Sequence, residues 1–415
     1  MKITRIEKCR CCGNEQLEDL FSLGVQALTG VFPRSENETV PVGPLELVKC
    51  HGDSACGLVQ LRHSYEADKM YGSNYGYRSG LNSSMVSHLK AKAELLQKIN
   101  PLQPGDLVLD IGSNDGTSLS FYPTSTTRVG MDPTIVKFRD FYQGDINPIA
   151  DFFSLESFRN HYGDRKAKII SSIAMFYDLE DPMKFVADIA GVLADDGVWH
   201  FEQSYMPLML KKNAYDTICH EHVEYYALYQ IKWMLDRSGL KIIDVELNDT
   251  NGGSFAVTAC KKDAEHNVNS AVINAILQEE AAFGLNTLTP FEEFKIRVFN
   301  HRDELRGLIN SLKKEGKKIT GYGASTKGNV LLQFCGFTRE EIPEIADVNT
   351  DKHGSFTPGT LIPIVSEQVS HNNKPDYFLV LPWHFRENLL KRESEFLQKG
   401  GKMIFPLPEI AIVGA

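Results

Sequence analysis

The stretch Tyr215-Asp216-Thr217-Ile218-Cys219-His220-Glu221-His222-Val223-Glu224-Tyr225-Tyr226 packs two histidines, two glutamates and three tyrosines into twelve residues. Such a set is costly to bury, because every polar group removed from water needs a partner. Histidine titrates near neutrality and can serve as a general base, and a neighbouring carboxylate raises its basicity. A zinc-protease helix is excluded, since H-E-x-x-H starting at His220 requires a histidine where Glu224 stands. Proton transfer is therefore the chemistry these residues offer, against the alternative of a solvated polar loop.

A second stretch, Leu107 to Thr117, reads L-V-L-D-I-G-S-N-D-G-T. It predicts an apolar strand, a glycine-rich turn through Gly112, Ser113, Asn114 and Gly116, and then a helix opening at Ser118. Glycines without Cβ let the backbone turn tightly and approach a ligand. The dinucleotide fingerprint is G-x-G-x-x-G, but this turn is D-x-G-x-x-x-G, with Asp110 at the strand end. A carboxylate there repels a pyrophosphate and accepts hydrogen bonds from a cationic amine, which fits S-adenosylmethionine. The next strand, Arg128 to Met131, ends in Asp132, 22 residues past Asp110, about the spacing at which an acid meets ribose hydroxyls. Asp151-Phe152-Phe153 then offers a polar edge and an aromatic face to adenine.

Five of the eight cysteines fall in the first 56 residues. Cys9 and Cys12 form a C-x-x-C pair, and Cys50 and Cys56 supply a second pair at wider spacing. Four thiolates from two chain positions suit a tetrahedral structural zinc site. His51 in place of one thiolate, and Cys11 as a spare, remain open alternatives. Four protein ligands leave no open position for catalysis at the metal.

These groups need a frame. At 415 residues the chain is long enough for two or three domains. Its net charge of −10 argues against nucleic acid as the main partner. No apolar run approaches a membrane span, and the N-terminus lacks an apolar signal core. A cytoplasmic monomer is expected. Three units follow: residues 1–66, rich in cysteine; 67–262, an α/β unit; and 263–415, a second α/β unit. Tyr71, Tyr75, Tyr77 and Arg78 lie in a glycine- and serine-rich loop suited to lining a substrate pocket. A helix from Ser83 to Ile99 follows, with Met85, Leu89, Ala93 and Leu96 on one face. Further strands are expected at Lys168–Ser172, at Gly197–Glu202 inside the sheet, and at Phe255–Cys260. Residues 263–316 read as charged helices. Lys318–Thr320 and Gly321-Tyr322-Gly323-Ala324-Ser325-Thr326-Lys327-Gly328-Asn329 repeat the strand-and-glycine-turn theme ahead of a helix from Val330 to Phe334. The backbone amides of that turn and Lys327 could receive phosphate, against the alternative of a nucleotide fold kept only for shape. Asp347, Lys352, His353, Tyr377–Leu381 and His384 follow, and Met403–Phe405 is expected to close the sheet.

The order of these pieces resembles the sugar C-methyltransferases of deoxysugar biosynthesis. The likeness spans nearly the whole chain and rests on C-G-L-V-Q-L from Cys56, V-L-D-I-G-S-N-D-G-T, F-E-Q-S-Y from Phe201, C-H-E-H-V-E-Y-Y, N-G-G-S-F, G-Y-G-A-S-T-K-G-N, T-P-G-T and L-P-W-H-F. It departs at the Cys50-to-Cys56 spacing and at Cys219, where some relatives carry tyrosine. The resemblance implies a small zinc-binding N-terminal domain, a central Rossmann-like methyltransferase domain and a C-terminal Rossmann-like α/β domain. A nucleotide-linked 4-keto-6-deoxysugar would lie between them. It implies S-adenosylmethionine-dependent methylation beside the ketone. His222 would be the base, Glu221 its tuning partner and His220 the competitor. Tyr75 or Tyr77 would bind the keto oxygen, and Tyr71, Arg78, Lys327, Asn329, Lys352, His353 and His384 the rest of the substrate. A sugar O-methyltransferase and a non-catalytic nucleotide-sugar-binding protein are the other readings.

Overall fold

The computed structural model describes residues 2–66, 70 and 77–414. The N-terminal unit holds β1 (Ile3–Arg5), β2 (Leu17–Ala27), β3 (Val42–Cys50), β4 (Val59–Leu61) and β5 (His63–Tyr65). β2, β3 and β4 form an antiparallel meander, and β1 pairs with β5 alone. The meander has a fourth strand from far along the chain, β11 (Glu224–Tyr225), which pairs with β4. The histidine-rich stretch is therefore stitched into the N-terminal unit, which residues 1–66 alone do not complete.

The central unit contains β6 (Leu107–Ile111), β7 (Thr127–Met131), β8 (Ile146–Ile149), β9 (Ala167–Ile173), β10 (Leu193–Ser204), β12 (Leu240–Asn248) and β13 (Ser254–Lys261). Their order is β12-β13-β10-β9-β6-β7-β8, with only β13 antiparallel to its neighbours. β6 is buried along its whole length, as an apolar strand inside a parallel sheet should be. β10 lies inside the sheet as expected. The sheet changes winding direction at β6, so the crevice outside the carboxyl ends of β6 and β9 is where a ligand belongs.

One expected element is reduced. The helix after the first glycine turn is a single 3₁₀ turn, Ser118–Phe121. Pro123 stops it: proline has no amide hydrogen to donate, and Tyr122 before it is held extended at φ −94° and ψ 152°. The helix Ser83–Ile99 forms with Asn82 as its cap, whose side chain accepts from the Ser84 amide. It buries Leu89, Ala93 and Leu96, while Met85 stays half-buried. Lys92 is buried with that face and is paired across the sheet to Glu202 at 3.2 Å and Glu246 at 2.7 Å.

Helices Ser270–Ala282 and Thr289–Lys314 lead into the C-terminal unit. Its sheet holds β14 (Ile319–Tyr322), β15 (Ile345–Asp347), β16 (Ile364–Ser366), β17 (Tyr377–Val380), β18 (Lys402–Phe405) and β19 (Ala411–Val413), in the order β16-β15-β14-β17-β18-β19. The strand expected to close the sheet, Met403–Phe405, is next to last. The edge is the short antiparallel β19, only partly covered and too brief to show a period. The helix expected from Val330 starts earlier, at Thr326, because the Ser325 side chain caps it through the Gly328 amide. One continuous core, from Cys9 to Leu407, joins all three units. No helix among the described residues is long and apolar enough to cross a membrane.

Candidate active site

At the carboxyl end of β6 the chain turns through Gly112 (φ +71°), Asn114 (φ 51°) and Gly116 (φ +75°). A Cβ on Gly112 would meet Met175 at 3.1 Å, and one on Gly116 would meet the Tyr142 ring at 3.0 Å, so both positions need glycine for space as well as for angle. The Asp132 carboxylate clasps the turn, accepting from the Asn114 amide at 2.8 Å and the Thr134 amide at 2.6 Å. Ser113 shares a hydrogen bond with the Tyr142 hydroxyl at 2.6 Å. Asp151 accepts from the Phe152 amide and the Ser157 hydroxyl. Phe152 is exposed, and Phe153 packs edge-on to Phe185.

Asp110 accepts from the Ser171 hydroxyl at 2.6 Å, and burial, with smaller pushes from Asp132 and Asp115, lifts its pKa to about 7. A cationic ligand favours the ionised form of such a carboxyl. Binding of S-adenosylmethionine is therefore expected to release a proton near neutrality, and affinity should rise as pH increases through about 7, the region of the Asp110 pKa. Calorimetry in buffers of different ionisation heat checks this. Asp110→Asn should bind more weakly and lose the pH dependence.

The same turn holds the segment before the first helix. Asn114 accepts from the Ser79 amide and donates to the Tyr77 carbonyl, while Asp115 accepts from the Gly80 amide. The Asn114 side chain thus serves as a clasp for residues 77–80, a role that its place in a cofactor turn did not suggest. Arg78 lays its guanidinium on the Phe141 ring at 4.0 Å. Tyr71 and Tyr75 lie outside the described residues.

Beyond β10 the histidine-rich stretch sends its side chains in different directions. His222 Nδ1 donates to the Thr217 carbonyl at 2.8 Å, which leaves Nε2 with the lone pair. Its ring packs on Tyr177, 4.2 Å between centroids, at the rim beyond β9. His222 lines one small pocket with Tyr177, Ser204, Met206 and Glu224. Burial, with help from the Lys327 ammonium, pushes its pKa down to about 3, so the ring is neutral at physiological pH.

His220 is fully buried and faces the N-terminal unit. Its Nε2 donates to the Gly43 carbonyl at 3.1 Å and its ring stands edge-on to Tyr65, so it anchors the stretch to the N-terminal unit and does not compete for the role of base. Glu221 does not orient His222 either; a carbonyl does. Its carboxylate turns to the N-terminal unit and accepts from the Thr29 hydroxyl at 3.2 Å, close against Gly30. Cys219 is fully buried, with its thiol pKa pushed up by burial and by Glu221.

From the C-terminal unit, Asn329 donates to the Thr29 carbonyl at 2.7 Å and so clamps the same junction. Lys352 donates to the Ala324 carbonyl at 2.6 Å, and His353 Nε2 to the Asp347 carbonyl at 2.8 Å. Both hold the second glycine turn in shape. Lys327 donates to the Asn251 carbonyl at 2.7 Å, across the boundary between units. His384 packs beside Trp383, whose indole N–H donates to Asp216 at 2.8 Å. Asp216 and Thr29 are the important polar groups that sequence reasoning left without a role. The first was one polar residue among many, and the second sits in a loop with no local signal.

The sulfurs of Cys9, Cys12, Cys50 and Cys56 lie within 4.8 Å of one another. Cys9 and Cys56 are 3.6 Å apart, and Cys12 and Cys50 are 3.4 Å apart. A tetrahedron with zinc–sulfur bonds of about 2.3 Å has edges of about 3.8 Å, so these residues fit a structural zinc ion. The 51–55 loop leaves the second pair of sulfurs together, and neither Cys11 nor His51 belongs to the cluster.

Three family models match successive parts of the chain: a zinc binding domain over residues 9–71, a methyltransferase domain over 85–245, and a C-methyltransferase C-terminal domain over 249–408. The chain is 32% identical over 416 residues to the C-methyltransferase NovU of Streptomyces niveus, covering 99% of this chain and 97% of that protein. Among solved structures, a methyltransferase bound to the Haloferax volcanii Trm112 activator is 15% identical with a TM-score of 0.36, over 44% of this chain and 94% of the other. The plantazolicin methyltransferase BpumL in complex with SAH is 11% identical with a TM-score of 0.34, over 42% and 82%.

Proposed function

Because this chain belongs to the C-methyltransferase family and is an S-adenosylmethionine-dependent enzyme with a zinc-binding domain, we propose that it methylates the carbon next to the ketone, C-3, of a nucleotide-linked 4-keto-6-deoxysugar. The observation that carries this reading is His222. It is neutral, its Nδ1 is fixed by the Thr217 carbonyl so that Nε2 carries the lone pair, and its ring lies against Tyr177 at the rim beyond β9. Forming a carbon–carbon bond needs a carbon nucleophile. A C–H beside a ketone yields one only when a positioned base removes the proton.

Bound S-adenosylmethionine supplies an electrophilic methyl group. In this reading Asp110, Gly112, Ser113, Asn114, Gly116, Asp132, Asp151, Phe152 and Phe153 form its site. The central unit, 67–262, binds the cofactor, and the C-terminal unit, 263–415, closes over the sugar nucleotide. Tyr77, whose backbone carbonyl accepts from Asn114, would bind the keto oxygen. His222 Nε2 takes the proton.

The test is mass spectrometry of the protein with S-adenosylmethionine and a panel of nucleotide-linked 4-keto-6-deoxysugars. A gain of one methylene on one member is expected. No gain on any member, with cofactor bound, would overturn the substrate class.

A further inference from the structure

We propose that Lys327 belongs to the reacting centre: its ammonium donates a hydrogen bond to the ketone oxygen of the substrate and stabilises the enolate that forms when His222 takes the adjacent proton. This rests on the C-methylation reading above.

Four amides of the second glycine turn are already engaged within the protein. The Gly323 amide donates to the Ala346 carbonyl at 2.7 Å, and the Ala324 amide to the Asp347 carboxylate at 2.7 Å. The Gly328 amide is taken by the Ser325 hydroxyl, and the Asn329 amide by the Ser325 carbonyl. A carboxylate already occupies the mouth of the turn, where it repels phosphate. The arrangement repeats the clasp of Asp132 on the Asn114 amide in the central unit.

Lys327 leaves this turn and crosses to the N-G-G turn of the central unit, where the Asn251 carbonyl accepts one of its three protons. The neighbouring Gly252 lies directly under Trp383 and beside His384. Trp383 donates to Asp216, and the residue after Asp216, Thr217, holds His222 through its carbonyl. The helix that carries Lys327 packs on the same turn, with the Phe334 and Tyr215 rings 5.3 Å apart. Lysine and carboxyl are thus linked to the base through adjoining chain segments.

Two side-chain atoms there, Asp216 Oδ1 and His384 Nδ1, are buried with no hydrogen-bond partner among the described residues. Asp216 itself is only 1% exposed. Buried polar atoms are nearly always satisfied, so these two, both within reach of the Lys327 charge, are open to a polar ligand. The Lys327 charge reaches both His222 and His384 and lowers their pKa values, while burial lowers that of Lys327 itself.

The step balances. The C–H bond breaks and its proton goes to His222 Nε2. The pair forms a carbon–carbon double bond, and the carbonyl π pair moves onto the oxygen, where Lys327 meets the new charge. When the carbon takes the methyl of S-adenosylmethionine the pair returns and the ketone is restored, while the methyl–sulfur bond breaks, its pair stays on sulfur and S-adenosylhomocysteine is the leaving group. A preorganised donor at a developing oxyanion acts on the transition state more than on the bound ketone. Its loss should therefore appear in kcat and not in KM.

The experiment follows exchange of the C-3 proton with deuterium oxide in the presence of S-adenosylhomocysteine, together with kcat and KM. Lys327→Met is expected to slow both exchange and kcat by roughly 10²–10³-fold, the usual cost of removing one such donor, with KM changed less than about threefold. Lys327→Arg, which keeps the charge and guards against misfolding, should fold and recover part of kcat. A phosphate-binding lysine would instead raise KM and leave kcat and exchange near wild type; that result overturns the proposal, as does full activity in both variants. If wild-type protein exchanges no proton on any 4-keto sugar, the C-methylation reading fails and this inference falls with it.

Discussion

His222→Asn should bind S-adenosylmethionine as wild type does and turn over roughly 10²–10⁴-fold more slowly, the span a general base usually contributes. Asparagine keeps an N–H that can donate to the Thr217 carbonyl, so the stretch stays in place and only the base is lost. The folded His222 pKa of about 3 lies below the ordinary histidine value of 6.5. Between those values the unfolded chain binds a proton that the folded ring refuses, so this group's contribution to stability is present above pH 6.5 and lost as pH falls toward 3. Asparagine removes that term, and His222→Asn should lose less stability in acid than wild type does. Cofactor titration, single-turnover kinetics and melting at pH 5 and pH 8 check these outcomes. Wild-type turnover by the variant would remove His222 from the mechanism.

Loss of zinc should be the most damaging change to stability. Structural zinc contributes of the order of 10 kcal/mol to small folded units that cannot bury enough surface alone. Here the damage would not stay local. The N-terminal meander borrows β11 from the histidine-rich stretch, and Thr29 meets both Glu221 and Asn329. Cys56→Ser, or exhaustive chelation, is therefore expected to lower the melting temperature sharply and to abolish turnover in parallel. Cys11→Ser should leave metal content unchanged, because Cys11 stands outside the cluster. Metal analysis against melting and activity checks this. Zinc-free protein with unchanged melting and turnover would contradict it.

Much of this architecture was legible in the residues. The run Leu107 to Gly116 announced itself because a buried parallel strand must be apolar and a ligand turn must be glycine-rich. The four cysteines were legible because thiolates cluster in few ways. What escaped was long-range. Nothing local in Glu224-Tyr225 shows that it pairs with Val59 and Gln60. The carboxylate of Glu221 was assigned to its chain neighbour, but adjacent side chains point apart, and its partner is Thr29, 192 positions away. Lys327 looked like a phosphate ligand because the turn around it resembles one. Only the hydrogen bonds of that turn show that the Gly323, Ala324, Gly328 and Asn329 amides are already engaged.

The central claim is that a carbon, made nucleophilic by loss of its proton to His222, receives the methyl group. The most direct measurement uses a nucleotide-linked 4-keto-6-deoxysugar carrying deuterium at C-3 and follows the methylated product by mass spectrometry and NMR. The account predicts a product that has gained a carbon-bound methyl at C-3 and has lost the deuterium. A product that keeps the deuterium and carries its methyl on oxygen would contradict it.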